Sequence, residues 1–377
     1  MTIAPPRQLG LAPAFAAASG LAASTGVGRF VYTPLLPVMT DAHRLDAHSG
    51  AFIAAVNYAG YLLGAIVLAR RPEWNGRTVF QASAVVLVLS EALMAVPAPP
   101  AVPAALRLLA GVASAVLFIG CASMAARHEN RTRAAGIAFS GVGAGIALAG
   151  LLVLAARPIA SWQALWLLSA ALTAVLLLPT WRLDIRPGSR SATTESRPTP
   201  GWRSLRVSYF LDGVGYIVIG TFLVAAVATP GHEAEGTALW IVVGVAAVPA
   251  TVLWGALARR WSAATALVIA LLLQTISAAL PALSTSIVPV VIAAVLFGAT
   301  FMGIVMLAME IGADLIGGRA AATLTAGYGS GQMLGPLVVA PVLGTGYTAA
   351  FGIATVLLLG AAAAALAVRR AYVSIEP

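Results

Sequence analysis

Four ionisable side chains, Arg29, Glu91, Arg107 and Asp212, stand inside stretches of sequence that are otherwise continuously apolar. A charge taken away from water is costly, so each such position invites a functional reading. A buried guanidinium can grip an anionic group through paired hydrogen bonds. A carboxylate whose charge depends on a neighbouring arginine is suited to taking up and releasing a proton. Glu91 lies six residues before Pro97, and Arg107 six residues after Ala101. On adjacent antiparallel helices, a rise of about 1.5 Å per residue sets both about 9 Å below one surface. Equal depth predicts a salt bridge between them; the alternative is that each snorkels separately to the interface. Asp212 is either an interfacial charge or a partner that neutralises Arg29.

Uncharged polar groups accompany these four. Asn57 and Tyr61 are one helical turn apart and share a face. Tyr32, Tyr216 and Gln332 interrupt other apolar runs, as do Gln274 and Tyr328. Each either lines a substrate path or closes a hydrogen bond between helices. Arg29, Tyr32, Asn57, Tyr61, Tyr216 and Gln332 are expected to bind substrate, and Glu91, Arg107 and Asp212 to couple protons. No metal or cofactor is expected: His43, His48, His128 and His232 all fall in polar connections, with no ligand spacing. Cys121 is the only cysteine, which rules out a disulfide within the chain.

These residues must be held by helices in lipid. The chain is 60% hydrophobic and 9% charged, with a mean hydropathy of +0.93. A soluble domain needs roughly a quarter of its residues charged. Runs of about 20 apolar residues, enough to cross a bilayer, fall near 12–38, 49–69, 78–97, 101–126, 134–156 and 161–180. A second set falls near 207–228, 237–258, 262–282, 286–309, 321–343 and 347–368. Pro97, Pro99, Pro100 and Pro103 mark a tight hairpin between the third and fourth. The first run continues through Pro34 and Pro37 as a full span, unlike a cleavable leader.

All 22 basic residues are arginine. With the abundant Ala, Gly and Val, this reads as the coding bias of a GC-rich bacterial genome. The net charge of +9 reflects topology rather than nucleic acid. Eighteen arginines fall in connections on the side of the N-terminus, two on the other side, and two inside spans. By the positive-inside rule both termini are cytoplasmic, in the inner membrane of a bacterium. The one long polar stretch, 181–206, is rich in Arg, Ser, Thr and Pro and is expected to be a flexible linker between bundles at 1–180 and 207–377.

An internal repeat supports the division. Gly26-Val27-Gly28 recurs as Gly213-Val214-Gly215, and Gly111 maps on Gly298, both at an offset of 187. Two parallel six-helix halves are a common transporter architecture. The offset places Arg29 opposite Tyr216, near the middle of the seventh span, and so near mid-membrane. A first helix ending at Gly28 would instead leave Arg29 outside the membrane. The repeat equivalents of the four buried charges are all uncharged, as expected if the charges serve function rather than fold.

The chain resembles the major facilitator superfamily along its whole length. The stretch from Gly26 through Arg29 and Pro34 to Pro37 is similar to the first-helix signature of the YbfB/YjiJ-like bacterial branch. Gly255 to Arg260 resembles a degenerate cytoplasmic-loop signature of the superfamily, and Arg107 to Gly111 its fourth-helix pattern, in which the arginine is linked to proton coupling. Gly331 to Pro336 resembles a glycine-proline signature that exporters carry in the fifth helix, but here it lies in the eleventh, so import and export stay open. The resemblance implies an all-α membrane fold of about twelve helices and a secondary transporter of a small organic solute. Its expected partners are that solute and the bilayer, and a monomer suffices. A sensor or an embedded enzyme on the same fold is the alternative. The enzyme would need a nucleophile–base pair or a metal cluster within the spans, and ATP-driven transport would need a phosphate-binding lysine that this sequence does not have.

Overall fold

Long apolar runs without water to satisfy their backbone can only coil into helices, and the computed structural model is helical, without a strand among the described residues. Those are 11–127, 131–187, 200–227, 233–284, 286–316 and 320–373. Arg7, His128, His232, Arg319 and residues 188–199 of the expected linker lie outside them.

The first half comprises α1 (Ala12–Leu21), α2 (Tyr32–Asp41), α3 (Ala47–Arg70), α4 (Arg77–Leu93), α5 (Ala101–Ala126), α6 (Arg131–Ala156) and α7 (Trp162–Leu177). The second comprises α8 (Pro200–Val227), α9 (Glu233–Ala247), α10 (Ala250–Trp261), α11 (Ala263–Leu283), α12 (Ile287–Ile316), α13 (Ala320–Val339) and α14 (Thr348–Val373). Two pairs are single rods with a break. α1 and α2 join through a π-helical segment, Ala22–Val27, and a turn. α9 and α10 meet at 43° just before Pro249 has left the turn. Among the described residues eight helices are individually long and apolar enough to cross a membrane, and the α9–α10 pair, taken as one span, makes a ninth. The glycine-rich α13, the 17-residue α4 and the broken α1–α2 rod complete the two bundles.

Local chemistry sets several boundaries. The proline hairpin ends α4 at Leu93 and starts α5 at Ala101. Asp46 caps α3, accepting from the backbone and hydroxyl of Ser49, and these bonds hold its exposed carboxyl below the usual range. The linker is shorter than the sequence suggests. A 3₁₀ turn, Leu178–Arg182, occupies its start, and α8 already runs from Pro200, with Trp202 and Leu205 buried. Glu310 and Asp314 are in the last turns of α12 on its exposed side.

Within the first bundle α3, α4 and α6 pack on α5 and α1 on α6. Within the second, α14 and α13 pack on α8 and α11 on α12 and α14. The bundles meet along two seams, α6 against α9 and α3 against α13. Glycines make the first seam a backbone contact: a Cβ on Gly143 would stand 2.7 Å from the Gly244 carbonyl oxygen. Gly141 and Gly145, on another face of α6, press on Ala18 and Ala22 of the first rod. α6 is itself unbroken, so its glycines serve close packing rather than a bend.

Candidate functional site

The two bundles enclose a cavity of about 830 Å³. Its floor is formed by Arg29, Phe30, Tyr61, Tyr216 and Gln332, with Thr25 beside them. From there it widens past Phe118, Phe301, Tyr209 and Tyr328 to exposed Ala69, Arg70, Ala321 and Ala322. These last residues stand at the C-terminal end of α3 and the N-terminal end of α13, on the side that carries the arginine-rich connections. Beyond the floor the bundles are bonded together. Thr33 Oγ1 donates to the Gly220 carbonyl at 2.6 Å, and the Tyr58 and Thr221 hydroxyls share a hydrogen bond of 3.1 Å. Thr33 and Gly220 are 187 residues apart, the repeat offset itself. Equivalent positions of two halves can touch only on the axis relating them, so this bond marks the pseudo-twofold axis.

Arg29 sits on this floor because the first rod is broken beside it. It occupies the turn between the π-helical segment and α2, and is only 5% exposed. The chain continues into the largely buried helix α2, and Arg29 is enclosed by protein at the break. Its Nη2 donates to Gln332 Oε1 at 2.5 Å, while Nε is buried without a partner. The guanidinium carbon lies 4.1 Å from the Tyr61 ring centre, with Tyr58 and Phe30 at 5.3 and 5.5 Å. Such cation–π contacts spread the charge without neutralising it. Asp212 is not the counter-ion. Its Oδ1 accepts from Gln274 Nε2 at 2.8 Å, Thr300 Oγ1 donates to Gln274 Oε1 at 2.8 Å, and Asp212 Oδ2 is buried without a partner.

Glu91 and Arg107 do not form the salt bridge that equal depth predicts. Arg107 Nη1 donates to the Gly28 carbonyl at 2.8 Å and Nη2 to the Arg29 carbonyl at 3.0 Å. The broken rod explains this. In a continuous helix the Thr33 N–H would serve the Arg29 carbonyl, but here it bonds to Phe30 at 3.2 Å, and Pro34 has no N–H to offer. Arg107 supplies the missing donors and spans the gap between Tyr32 and Trp166, whose rings lie 5.5 and 5.8 Å from it. Glu91 stays within electrostatic reach of Arg107 and faces Thr173 on α7, yet neither of its oxygens closes a hydrogen bond.

Of the six expected binding residues, four meet in the cavity: Arg29, Tyr61, Tyr216 and Gln332. Two do not line it. Tyr32 donates its hydroxyl to the Gly50 carbonyl at 3.0 Å, and Asn57 Nδ2 donates to the Arg107 carbonyl at 2.7 Å. Both close helix–helix bonds, the alternative the sequence left open. Asn57 and Tyr61 do share a face of α3, but that face packs on Gly111 of α5, and only the longer tyrosine ring reaches the opening. Of the aromatic wall, sequence reading named Tyr216 and Tyr328 but missed Tyr209 and Phe301. Tyr216 stacks on Tyr328 at 5.2 Å, Tyr328 on Tyr209 at 4.3 Å, and Phe301 lies nearly parallel to Tyr216 at 6.4 Å. The seven-residue spacing of Tyr209 and Tyr216, two helical turns, was the available signal.

Comparison with known proteins bears on which family built a cavity between two such helical halves. The family described as "Uncharacterised MFS-type transporter YbfB" matches residues 21–371. The chain belongs to this family of major facilitator transporters. Its fold is similar to that of solved relatives, among them the crystal structure of a mutant of the nucleoside transporter NupG. That likeness has a TM-score of 0.69 at 14% identity, over 97% of this chain and 100% of that one. No curated protein matches the sequence. Family and fold make this a multi-pass membrane protein of a transporter class, with the bilayer and a small molecule as its partners.

Proposed function

We propose that the chain is a secondary active transporter that moves a small organic solute across a bacterial inner membrane by alternating access, driven by protons. The observation that carries this reading is the one-ended cavity: open toward the arginine-rich side, closed beyond Arg29 by the Thr33–Gly220 and Tyr58–Thr221 bonds between bundles. With both termini cytoplasmic, as the arginine distribution favours, this geometry corresponds to an inward-open state. The bundles, at 1–180 and 207–377, would rock about the glycine seam between α6 and α9 to reach the opposite state.

Proton coupling falls to Glu91 and Asp212. Each is buried with at least one carboxylate oxygen unpartnered. Glu91 senses the Arg107 charge, and Arg107 holds the carbonyls next to Arg29, so a change of charge at Glu91 is conveyed to the substrate floor through the broken rod. Asp212 lies one turn before Tyr216 on α8 and acts on the opposite wall.

The test uses a Cys121→Ser background in proteoliposomes, with single cysteines at Ala322, at the mouth, and at Thr221, behind the closed end. Alternating access expects an imposed pH gradient to lower labelling at 322 and raise it at 221 together. Labelling at 322 that is high and at 221 that is nil under every gradient and solute would overturn the reading.

A further inference from the structure

The sign and lining of the cavity narrow the solute. Among its lining residues there is no carboxylate, and the two charged groups are Arg29 on the floor and Arg70 at the mouth. A chamber of one sign, with low-dielectric walls, concentrates anions and repels cations. Arg29 carries five N–H donors. One meets the neutral oxygen of Gln332, the buried Nε meets nothing, and no acid among the described residues stands within ion-pair distance. That leaves one unneutralised charge, the strongest unmet demand in the cavity. Above it the wall is aromatic, with Tyr216, Tyr328 and Phe301 stacked as near-parallel rings. A volume of about 830 Å³ suits a molecule of one to three rings.

We infer that the cavity binds a planar organic monoanion, its carboxylate paired with Arg29 and its ring system laid against the Tyr216–Tyr328–Phe301 wall. This rests on the transporter reading for its purpose but not for its chemistry. A second consequence comes with it. The bond of Arg29 to Gln332 joins the first rod to α13, that is, one bundle to the other. An anion that takes the guanidinium in a two-point grip replaces this inter-bundle bond with a bond to ligand. Occupancy is thereby coupled to the contact between the bundles.

Equilibrium binding to the purified full chain in nanodiscs, by calorimetry without any gradient, tests the inference. The probes are 2-naphthoate, 2-naphthamide, 2-naphthylmethylamine and acetate, which vary charge on one ring system and then remove the ring. Naphthoate should bind at least tenfold more tightly than the amide, with no measurable binding of the amine or acetate. Arg29→Gln should bring the acid-to-amide ratio down to about one. Tyr216→Leu should weaken acid and amide alike and leave their ratio unchanged. An amide equal to the acid in the unmodified protein, acetate equal to naphthoate, absence of naphthoate binding, or a tenfold ratio persisting in Arg29→Gln would each overturn the inference. Because the unmodified chain alone separates these outcomes, misfolding of a variant does not shelter the claim. A chain that binds with this pattern yet shows no alternating access would keep the inference and lose the transport reading.

Discussion

Each bundle carries a buried polar layer on its first, third and fourth rods, but the two layers have opposite chemistry. In the first bundle the layer is cationic: Arg107 of α5 bonds to the carbonyls of Gly28 and Arg29, with Glu91 of α4 nearby. In the second it is an acid held by neutral groups, Asp212 of α8 bonded to Gln274 of α11, itself bonded to Thr300 of α12. The backbone accounts for the contrast. The first rod is broken between α1 and α2 and exposes carbonyls that need donors, whereas α8 runs unbroken from Pro200 to Val227 and needs none. Lipid tolerates irregular backbone only where protein satisfies it. The break therefore demands an arginine in one half, and the intact helix leaves its counterpart free to carry a carboxylate.

The seams differ in the same way. Along α6 and α9 the contact is backbone on backbone at Gly143 and Gly244. Along α3 and α13, Gly329 faces the flexible side chain of Leu62, and Gly327 faces open space. The first seam is suited to act as a pivot, and the second to slide.

The sharpest way to break the comparison is to remove one charge from each layer. Arg107→Gln leaves two buried carbonyls without their donors, at about 1–3 kcal/mol each. Asp212→Asn keeps an oxygen for Gln274 and should cost under about 1 kcal/mol. Thermal unfolding in detergent compares the two, and equal losses would abolish the contrast between the layers. Next in size is Gly143→Ala, whose Cβ meets backbone and should destabilise by about 2 kcal/mol through overpacking, visible in the same unfolding measurement. A loss no greater than at Gly327 would mean that the seam is not tight.

The Glu91–Arg107 relation sharpens the cationic layer. A double-mutant cycle with Glu91→Gln and Arg107→Gln should give a coupling of about 1 kcal/mol, because the two buried charges interact without sharing a hydrogen bond. Glu91→Gln should also make solute accumulation in proteoliposomes insensitive to the pH gradient while counterflow exchange persists. A large coupling would restore the ion pair that equal depth predicts. Thr33→Val removes one bond at the closed end, worth about 1 kcal/mol, so the outward-open population should rise about fivefold. Labelling of a cysteine at Thr221 reads that shift. The smallest effect belongs to Gly327→Ala, which has space around it and should be neutral or slightly stabilising through helix propensity, by up to about 1 kcal/mol.

How far the sequence could be read depended on the kind of information each feature needed. Hydrophobic length and proline punctuation located the rods, and the hairpin at Pro97–Pro103 falls where its prolines require. The repeat offset placed Arg29 at the depth of Tyr216, and both line the cavity floor. Depth along a helix is only one coordinate, however. The salt bridge of Glu91 and Arg107 also needed their rotation about two helix axes, which spacing does not supply. The same missing coordinate put Asn57 and Tyr32 on the substrate path, although both turn to neighbouring helices. The π-helical break left no local mark beyond Gly26, Gly28 and Pro34, and without the break the true partners of Arg107 were invisible. Pro249 did mark the bend between α9 and α10, within a run that reads as one continuous span.

The Thr33–Gly220 bond is a mark of asymmetry as well as a seal. Two identical copies assembled about a twofold axis must place the same residue against itself there, so a donor would face a donor and a side chain would face a side chain. A threonine opposite a bare glycine is an arrangement that no symmetric pair of chains can make. Gene duplication followed by fusion removes the prohibition, because the two sites can then mutate independently. The hydrogen bond at the axis is thus a one-sided contact, with the side chain given by one half and only a backbone carbonyl by the other.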